Sequence, residues 1–516
     1  MQDNRYMIGV DIGTTSTKAI LYQETGELIS YHNYSYTLKT PDVHTAELDP
    51  EMILEAVVLT IEKVIKESKV NASNISFISF SSAMHSVIAI DKNNKPITNC
   101  ITWADNRSAH WAQRIKEKFD GLKIYQRTGT PIHSMSPLSK IMWLEHEHPE
   151  IARKTNKYIG IKEYIFLRFF NLYVVDYSIA SCTGLMNLHT LTWDEEVLHI
   201  AGITEQKLSS IVSTQEIFTR CNPYYAKRMG VLSETKFIIG ASDGVLSNIG
   251  VNAINPGELA ITIGTSGAIR TIINKPKVDS KGRIFCYALT DEHWVVGGPV
   301  NNGGLVLRWI RDELAQKEVH KAQTLGLDAY DLITDLAESV PAGSEGLLFH
   351  PYLQGERAPL WNSNVKGSYF GLTLNHRREH MIRAAMEGVI LNLYTVYLSL
   401  QEIVANNHEI TLRATGGFAQ SKLWRQMLAD IFNREVTIPD NHESSCLGAC
   451  ILGLYALKKI DSFDIATNVI GETHRHKPIQ ENVTRYKGII PIYLQLSQVL
   501  QPAYEAISKY QMKLNE

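Results

Sequence analysis

The sequence lacks both a strong net charge and any long apolar run. Its 516 residues include 51 Lys and Arg against 54 Asp and Glu, which gives a formal net charge of −3. Because nucleic-acid-binding domains are typically basic, this balance argues against a nucleic-acid partner. No segment approaches about 18 consecutive apolar residues, the length that reads as a membrane-spanning helix, so we expect no membrane partner either.

Cysteines are scarce and widely spaced. Because no two of them form a Cys-x-x-Cys pair, the sequence contains neither a zinc ribbon nor a thiol redox motif. The first apolar stretch, residues 7–10, ends at Asp11 and is too short for a secretion signal. We therefore expect reduced, mostly buried thiols and a cytoplasmic location. The six cysteines are Cys100, Cys182, Cys221, Cys286, Cys446 and Cys450.

Strand-like and helix-like apolar patterns alternate along the chain. Residues 7–22 predict two strands joined by a Gly-Thr-Thr turn, and residues 28–36 predict a third. Residues 49–68 are typical of a helix, with Asp at the N-cap and Pro in the first turn. Residues 75–80 alternate like a further strand. This mixture predicts an α/β fold, and the length predicts more than one domain.

A short internal repeat indicates two related halves. The segment 12–16, Ile-Gly-Thr-Thr-Ser, is echoed nearly half the chain later by the segment 263–266, Ile-Gly-Thr-Ser. Apolar strand-like residues flank both segments. We interpret the repeat as two domains, 1–251 and 252–516, that each open with a Gly-Thr hairpin and pack closely across a cleft.

The two Gly-Thr turns are suited to binding phosphate. Glycine lets backbone N–H groups approach a ligand closely, and the neighbouring hydroxyls add hydrogen-bond donors. The chain contains no Gly-Lys dipeptide and no Gly-x-Gly, which excludes a Walker A loop and the Rossmann fingerprint. The two turns are therefore the candidate cradle for a polyphosphate.

Two carboxylates stand at the ends of predicted strands. Asp11 directly precedes the first Gly-Thr turn, where a carboxylate beside phosphates typically serves Mg²⁺. Asp243 ends an apolar segment and is placed to act as a general base toward a hydroxyl. The alternative for Asp243 is a structural role as the N-cap of a following helix.

Two longer segments resemble the signatures of the FGGY carbohydrate kinases. Residues 135–143, Met-Ser-Pro-Leu-Ser-Lys-Ile-Met-Trp, are similar to the first signature. Residues 355–362, Gly-Glu-Arg-Ala-Pro-Leu-Trp-Asn, continuing to 367–373, are similar to the second. The resemblance extends over about residues 7–458. It implies two ribonuclease-H-like domains of the actin-like ATPase superfamily around a nucleotide and sugar cleft, with ATP and Mg²⁺ as cofactors.

The resemblance also implies roles for individual residues in catalysis and nucleotide binding. Asp243 occupies the position of the family's catalytic base, and Asp11 lies on the Mg²⁺ side of the first phosphate loop. The implied nucleotide-binding residues are Gly13, Thr14, Thr15, Lys18, Gly264, Thr265, Ser266, Gly304, Gly416, Gly417, Gln420 and Ser421.

The substrate side is expected in the first half of the chain. Met84 and His85 stand where glycerol kinases of the family carry Arg-Glu, and Trp103-x-Asp105-x-Arg107 resembles the family's element near the sugar. The segments 101–108, 127–132, 162–164 and 175–180 are similar to the family's gluconate kinases. The implied substrate-binding residues are Met84, His85, Trp103, Asp105, Arg107, Lys162 and Asp243. Since gluconate carries a carboxylate, Arg107, His85 and Lys162 are candidates to meet it.

The activity implied is ATP-dependent phosphorylation of a sugar or sugar acid at its terminal hydroxyl, with D-gluconate as the expected substrate. One alternative is a xylulokinase or another pentulose or polyol kinase of the same family. A second is a non-catalytic sugar-binding regulator or an actin-like ATPase, and the presence of Asp11, Asp243 and the Trp103 element argues against it. The sequence leaves the oligomeric state open, with a homodimer as one alternative.

Overall fold

The chain divides into two compact units that are each assembled from three stretches of sequence. The computed structural model describes residues 5–404, 410–439, 443–466 and 470–514. Unit 1 comprises Met1–Ile254, Ile272–Val296 and Glu443–Gly471, and unit 2 comprises Asn255–Thr271, Gly297–His442 and Glu472–Glu516. The predicted boundary at residues 251–252 lies close to the first passage from unit 1 to unit 2. No helix in the described ranges is long and apolar enough to cross a membrane.

Strands and helices alternate in both units, which confirms the predicted α/β fold. The strands are β1 (Tyr6–Ile12), β2 (Ser16–Gln23), β3 (Leu28–Ser35), β4 (Glu47–Leu48), β5 (Ile75–Ser82), β6 (Ile88–Ile90), β7 (Cys100–Ile101), β8 (Lys157–Ile159), β9 (Val174–Asp176), β10 (Met186–Asn187), β11 (Thr192–Trp193), β12 (Ser210–Val212), β13 (Ile217–Phe218), β14 (Lys236–Ser242), β15 (Glu258–Ile263), β16 (Gly267–Ile273), β17 (Phe285–Ala288), β18 (Trp294–Val300), β19 (Leu348–His350), β20 (Ser368–Phe370), β21 (Thr411–Thr415), β22 (Val436–Pro439) and β23 (Glu472–His476).

Helices lie between the strands along the chain in both units. They are α1 (Pro50–Ser68), α2 (Ala109–Lys118), α3 (Gly121–Thr128), α4 (Pro137–Glu147), α5 (Pro149–Lys154), α6 (Ile161–Phe170), α7 (Tyr177–Ser181), α8 (Glu195–Ala201), α9 (Pro223–Met229), α10 (Asp243–Gly250), α11 (Gly304–Trp309), α12 (Gln316–Leu325), α13 (Ala329–Glu338), α14 (Arg378–Gln401), α15 (Lys422–Phe432), α16 (Ser444–Ala456), α17 (Gln480–Val499) and α18 (Gln501–Leu514). Short 3₁₀ turns span Ala72–Asn74, Glu205–Lys207, Ser344–Gly346, Gly417–Gln420 and Phe463–Ile465, and a π-helical turn spans Ile310–Leu314.

A six-stranded sheet in the order β3-β2-β1-β5-β14-β13 forms the centre of unit 1. β1 and β2 make an antiparallel hairpin, whereas β1, β5 and β14 run parallel. The parallel strands are covered on both faces, which explains why they read as nearly continuous apolar runs. Val57 and Ile61 of α1 pack with Ile8 in one core, and Leu447 of α16 packs with Met7 in another.

Unit 2 is built on strands that follow the order β18-β16-β15-β21-β22-β23. β15 and β16 make an antiparallel hairpin, and β15, β21 and β22 run parallel. The final strand, β23, pairs antiparallel with β22. Both units therefore contain a hairpin followed by parallel strands and an antiparallel edge strand, in agreement with the internal repeat of the sequence.

The first helix begins where its capping residues predict. The Asp49 side chain accepts a hydrogen bond from the Glu51 N–H at 2.9 Å, and Pro50 occupies the first turn, where no intrahelical N–H is needed. The helix ends at Ser68, before a left-handed Lys69. The predicted strands at residues 28–36 and 75–80 are confirmed as β3 and β5.

Helix α16 lies directly on β1 because the strand carries a glycine at the contact. A Cβ on Gly9 would lie 2.3 Å from the carbonyl oxygen of Cys446, so no larger residue permits this approach. Cys446 and Cys450 are buried on the same helix, and all six cysteines are free and buried, as expected. The close packing carries the start of α16 to the carboxyl end of β1.

Candidate active site

The turn between β1 and β2 is a tight hairpin in unit 1. The Gly13 N–H donates to the Ser16 carbonyl at 3.0 Å, and Thr15 at the tip is exposed. Tyr36 braces the turn, since its hydroxyl donates to the Gly13 carbonyl at 2.5 Å and lies 3.2 Å from the Thr17 hydroxyl. The turn is thereby held in one conformation while its tip faces solvent.

The turn between β15 and β16 repeats this geometry in unit 2. The Gly264 N–H donates to the Ser266 carbonyl at 2.9 Å, and Thr265 at the tip is exposed. The start of α11 closes on the turn, with the Gly304 N–H donating to the Gly264 carbonyl at 2.6 Å. A Cβ at position 304 would lie 2.8 Å from that same oxygen, so this contact requires glycine.

Asp11 lies partly buried behind the first hairpin. Its carboxylate accepts hydrogen bonds from the Ser81 hydroxyl at 2.7 Å and the Ser445 hydroxyl at 3.2 Å. Burial raises the pKa of the Asp11 carboxyl, and the two hydroxyls and the positive charge of Lys18 counteract that rise. Lys18, opposite Asp11 on β2, forms an ion pair with Glu443 at 2.8 Å. The structure thus places Lys18 beside the predicted phosphate loop in contact with a carboxylate.

Asp243 is the first residue of α10 and directly follows β14. Its Oδ1 accepts a hydrogen bond from the Gly244 N–H at 2.6 Å, which orients the carboxylate at the helix start. The N-cap is Ser242, one residue earlier, so the alternative role as a cap does not apply to Asp243. A Cβ on Gly244 would lie 3.0 Å from Cε of Met84, which places Met84 against this turn.

Parallel strand pairing brings both carboxylates to one edge of the sheet. Asp11 of β1 pairs in register with Ser81 of β5, and Ser81 in turn pairs with Ala241 of β14. Asp243 follows two residues later. Because ligands of open α/β sheets bind beyond the carboxyl ends of parallel strands, this edge is the candidate catalytic site of unit 1.

Cys182 contacts both Met84 and His85. The His85 Nδ1 lies 2.8 Å from the Cys182 carbonyl oxygen, and the Cys182 sulfur lies 3.7 Å from the Met84 sulfur. His85 is buried and has a left-handed backbone, with φ of 68°. The structure therefore places Met84 at the turn that carries Asp243, with His85 next to it in the chain and held by Cys182.

Trp103 connects the predicted sugar element to the first phosphate hairpin. Its indole Nε1–H donates to the Thr14 hydroxyl oxygen at 3.0 Å. Both residues belong to unit 1, so the structure brings together two sites that the sequence treats separately. Rotation of the Thr14 side chain is restricted by this bond.

Asp105, Arg107 and Glu47 form an ion-pair network in which Asp105 is buried and Arg107 is partly exposed. Asp105 is buried and accepts from the Arg107 Nε at 3.0 Å, and the Arg107 Nη2 lies 2.5 Å from Glu47. The guanidinium carbon also lies 4.7 Å from the ring centre of Trp143, a cation–π distance. Asp105 therefore orients Arg107, which keeps 26% of its side chain exposed.

Lys162 is buried beneath β14. Its Nζ lies 2.7 Å from Asp176 Oδ2 and donates to the Ala241 carbonyl at 3.1 Å. Burial lowers the pKa of Lys162, and the charge and hydrogen bond of Asp176 counteract the decrease. Only 2% of the lysine side chain is exposed, which distinguishes it from Arg107.

A cavity of about 320 Å³ opens beside the second hairpin, entirely within unit 2. It is of the size of small-molecule pockets. Helix α13 and the start of α15 contribute to its wall, the latter capped by Ser421, whose hydroxyl accepts from the Trp424 N–H at 3.2 Å. Six predicted nucleotide-binding residues line it: Gly264, Thr265, Gly304, Gly417, Gln420 and Ser421. Gly416 adjoins this wall, and Ser266 adjoins Thr265 in the turn.

Comparison with known proteins identifies the family of both halves. The N-terminal domain of the FGGY family of carbohydrate kinases matches residues 6–250, and its C-terminal domain matches residues 259–457. The chain belongs to the FGGY family of carbohydrate kinases.

Relatives of this FGGY kinase match along its whole length. It is 61% identical to the gluconokinase of Bacillus subtilis (strain 168), over 99% of each chain. The crystal structure of gluconate kinase from Lactobacillus acidophilus superposes with a TM-score of 0.91 at 37% identity, covering 98% of this chain and 100% of that one. The crystal structure of a ligand-bound xylulose kinase from the same organism superposes with a TM-score of 0.91 at 38% identity, with the same coverage of both chains. The fold is thus the actin-like ATPase fold, and the protein is an ATP-dependent carbohydrate kinase.

The second family signature has a structural role in unit 2. Glu356 is buried, and its carboxylate accepts hydrogen bonds from the Asn301 N–H at 2.5 Å and the side-chain amides of Asn302 at 3.1 Å and Asn392 at 2.7 Å. Burial raises the pKa of Glu356, and the donors counteract that rise. The signature therefore ties the segment after β18 to α14.

Several contributors to the site escape sequence reasoning. Tyr36 and Ser81 act through hydrogen bonds across the sheet, which no local pattern reports. Helix α13 contributes Tyr330 and Thr334 to the cavity of unit 2, and its N-cap Asp328 also lines the cavity. Its sequence shows only an N-cap, since the Asp328 side chain accepts from the Tyr330 N–H at 2.8 Å.

Lys140, within the first family signature, fixes the backbone of the substrate loop. It is buried, and its Nζ donates to the His85 carbonyl at 3.0 Å and the Met135 carbonyl at 2.5 Å. Burial lowers the pKa of Lys140 to about 7. The lysine thus anchors the carbonyl of a residue whose φ is positive, a conformation that needs support from its surroundings.

Lys140 should make the stability of the kinase pH-dependent. Since the pKa of Lys140 falls from 10.5 to about 7 on folding, the folded state binds fewer protons between these values, and its stability rises with pH. The wild-type Tm minus that of Lys140→Met should therefore be larger at pH 9 than at pH 7. Thermal unfolding at both pH values measures this difference, and an unchanged difference would argue against a desolvated ammonium group.

Proposed function

We propose that this kinase transfers the γ-phosphoryl group of ATP to the terminal 6-hydroxyl of D-gluconate, yielding 6-phosphogluconate and ADP. The observation that carries the proposal is 61% identity to a gluconokinase along 99% of both chains, in a protein whose Met84 lies against the turn that carries Asp243 and whose His85 is held by Cys182. No contact among the described residues of unit 1 favours the alternatives of a non-catalytic regulator or an actin-like ATPase.

Asp243 is the proposed general base. Its carboxylate would accept the proton of the substrate hydroxyl as that oxygen bonds to the γ-phosphorus and the bond from phosphorus to the ADP oxygen breaks. Phosphoryl transfer depends mainly on positioning and charge stabilisation, so the orientation of the carboxylate by the Gly244 N–H bears directly on rate.

His85 and Arg107 are proposed to recognise the open-chain acid. The bond to the Cys182 carbonyl places a proton on Nδ1 of His85, so a neutral ring accepts through Nε2, as suits a substrate hydroxyl. Arg107 is the proposed cation for the substrate carboxylate, with its guanidinium oriented by Asp105 and Glu47. Met84 contributes an apolar wall beside the Asp243 turn. Trp103 contributes the hydrogen bond that restricts the Thr14 side chain.

The two Gly-Thr hairpins are proposed to bind the phosphates, and Asp11 to serve Mg²⁺. One carboxylate flanked by two serine hydroxyls fits a Mg²⁺ that keeps several waters and takes further oxygens from phosphates. Among the described residues no group of three or more His, Cys, Asp or Glu could hold a metal, which suits an ion that arrives with its nucleotide. When bound, Mg²⁺ neutralises charge on the phosphate oxygens.

The cavity of unit 2 is proposed to hold the adenosine. Glycine at position 417 leaves open space, since a Cβ there would meet nothing within 4 Å. Hydroxyl, amide and carboxylate groups of Ser421, Gln420 and Asp331 lie along the wall and suit the polar edges of a nucleoside.

A xylulose kinase is the second candidate. The observation that favours it is the equal TM-score of 0.91 to the gluconate kinase and the xylulose kinase of L. acidophilus, so the fold by itself does not separate the two substrates. The higher identity to a gluconokinase decides for gluconate.

Location and assembly stay predictions. The buried free cysteines suit a reducing compartment such as the cytoplasm, where we place the enzyme. A homodimer is an expectation that no contact of the described chain addresses.

A substrate panel tests the proposed function. With Mg²⁺-ATP and coupled detection of ADP, D-gluconate should give the highest kcat/KM, and D-xylulose, glycerol and other neutral polyols should give much lower values. ATP turnover with gluconate no higher than in buffer would refute the proposal. A preference for xylulose would establish the second candidate.

Replacing the proposed base should separate chemistry from binding. Asp243→Ala should lower kcat by about 10²–10⁴-fold, because proton transfer by a positioned base contributes about that much. Calorimetric affinity for ATP should be retained. The matched control is Asp91→Asn, an exposed turn carboxylate that also accepts a backbone N–H, from Asn93 at 2.8 Å. Wild-type turnover by Asp243→Ala would exclude the role of Asp243.

Filling the cavity of unit 2 should weaken ATP binding selectively. Thr334→Trp places a bulky ring in the cavity and should raise KM for ATP about tenfold, equivalent to about 1.4 kcal/mol, with little change in KM for gluconate. Thr324→Trp is the matched control, because both threonine hydroxyls bond the carbonyl four residues earlier while Thr324 is exposed. Equal ATP affinity in the two variants would contradict the assignment.

A further inference from the structure

A buried ion pair lies beneath the strand that leads to Asp243. The side chains of Lys162 and Asp176 are 2% and 0% exposed, and their charged atoms lie 2.7 Å apart. Burying two charges is costly, and an apolar pair of similar size would often stabilise a fold as well or better. Stability alone therefore does not explain why a buried ion pair lies at this position.

The lysine contacts the backbone just before the proposed base. Its Nζ donates to the carbonyl of Ala241 at 3.1 Å, two residues from Asp243. The register between β14 and β5 shifts between Ile238 and Ala241, so the regular ladder is interrupted immediately upstream. Where the ladder is irregular, backbone groups need partners from side chains, and Lys162 supplies one.

A serine on α7 holds the next residue. The Ser178 hydroxyl accepts from the Ser242 N–H at 3.1 Å and donates to the Ser242 hydroxyl at 2.9 Å. Asp176 caps the same helix, since its Oδ1 accepts from the Ile179 N–H at 3.0 Å while Oδ2 faces Lys162. The Asp176 carboxylate thus links Lys162, which holds the Ala241 carbonyl, to helix α7. That helix in turn holds Ser242 through Ser178.

The same helix leads to the substrate loop. Cys182, directly after α7, offers its carbonyl to His85 Nδ1 at 2.8 Å. The buried Lys140 also holds the carbonyl of His85, at 3.0 Å, so His85 has a support outside this network. Loss of the Lys162 contact should therefore displace the backbone before Asp243 and leave His85 in place.

We propose that Lys162 and Asp176 are positioning residues, which hold the backbone of residues 241–243 so that the Asp243 carboxylate meets the attacking hydroxyl. This assigns Lys162 a role different from the substrate contact that the sequence predicts, because the lysine acts through the Ala241 carbonyl. The inference rests on the proposed function of Asp243 as general base.

The decisive variant is Lys162→Met, which keeps the length of the side chain and removes the charge. A misplacement of about 1 Å can cost about 10²-fold in rate, so kcat should fall by about 10- to 100-fold while KM for gluconate and ATP stays nearly unchanged. Lys207→Met is the matched control: it breaks a partly buried ion pair with Glu145, also 2.7 Å long, elsewhere in unit 1. The control should keep its kcat.

Coupling to Asp243 distinguishes positioning from general loss of structure. In an Asp243→Ala background, Lys162→Met should cause no further loss of the residual rate, measured with radiolabelled ATP, since the group that it positions is gone. A further 10-fold or greater loss in that background would overturn the proposal. A large rise in KM for gluconate with kcat retained would also overturn it, in favour of direct contact with the carboxylate.

Two further variants keep the test valid if Lys162→Met does not fold. Asp176→Asn retains a helix cap but removes the negative charge, and Ser178→Ala removes both bonds to Ser242 without changing any charge. Each should lower kcat with KM preserved. If Asp243→Ala is inactive but the folded variants of this network all keep kcat, the positioning proposal fails and the general base stands. If Asp243→Ala turns over normally, the proposed base itself fails, and the positioning proposal with it.

Discussion

The parallel pairing of β1, β5 and β14 is the constraint on which the proposed catalytic site depends. Asp11 and Asp243 are far apart in sequence, and only the register of these strands brings them to one sheet edge. Parallel strands need long crossover connections. Here the connection between β5 and β14 contains His85 and Arg107, which are proposed to bind the substrate, and the proposed positioning residue Lys162. The proposed substrate-binding residues thus lie in the chain segment that joins two strands whose carboxyl ends form the candidate site.

In unit 1, buried lysines hold the backbone at or near side chains that are proposed to bind the substrate or act in catalysis. Lys140 donates to the carbonyl of His85, and Lys162 donates to the carbonyl of Ala241. In each case burial lowers the pKa of the lysine, which is the cost of placing an ammonium group away from water. In exchange for this cost, each lysine fixes a backbone carbonyl at or near a residue that is proposed to touch the substrate.

The two Gly-Thr hairpins share a backbone and differ in what surrounds them. In unit 1 the hairpin adjoins the Asp11 carboxylate, and Tyr36 braces it. In unit 2 the start of α11 closes on the hairpin and a cavity opens beside it. The same turn is therefore proposed to bind phosphate in each unit, beside a proposed metal site in unit 1 and a proposed nucleoside site in unit 2.

Local sequence patterns determined the α/β class, the start of α1, the two hairpins and the candidate carboxylates, because capping, alternation and turn chemistry act over a few residues. The two signature segments identified the family. Tertiary structure decided the contacts between residues that are far apart in sequence. It assigned two later segments to unit 1 and brought the hydroxyls of Ser81 and Ser445 to Asp11. It also decided that Ser242, not Asp243, is the N-cap of α10. It also separated two cations that look alike in sequence. Arg107 keeps a partly exposed guanidinium, whereas Lys162 is buried against Asp176. The reason is that Arg107 lies in the loop before α2, while Lys162 lies on α6 and reaches the backbone of β14.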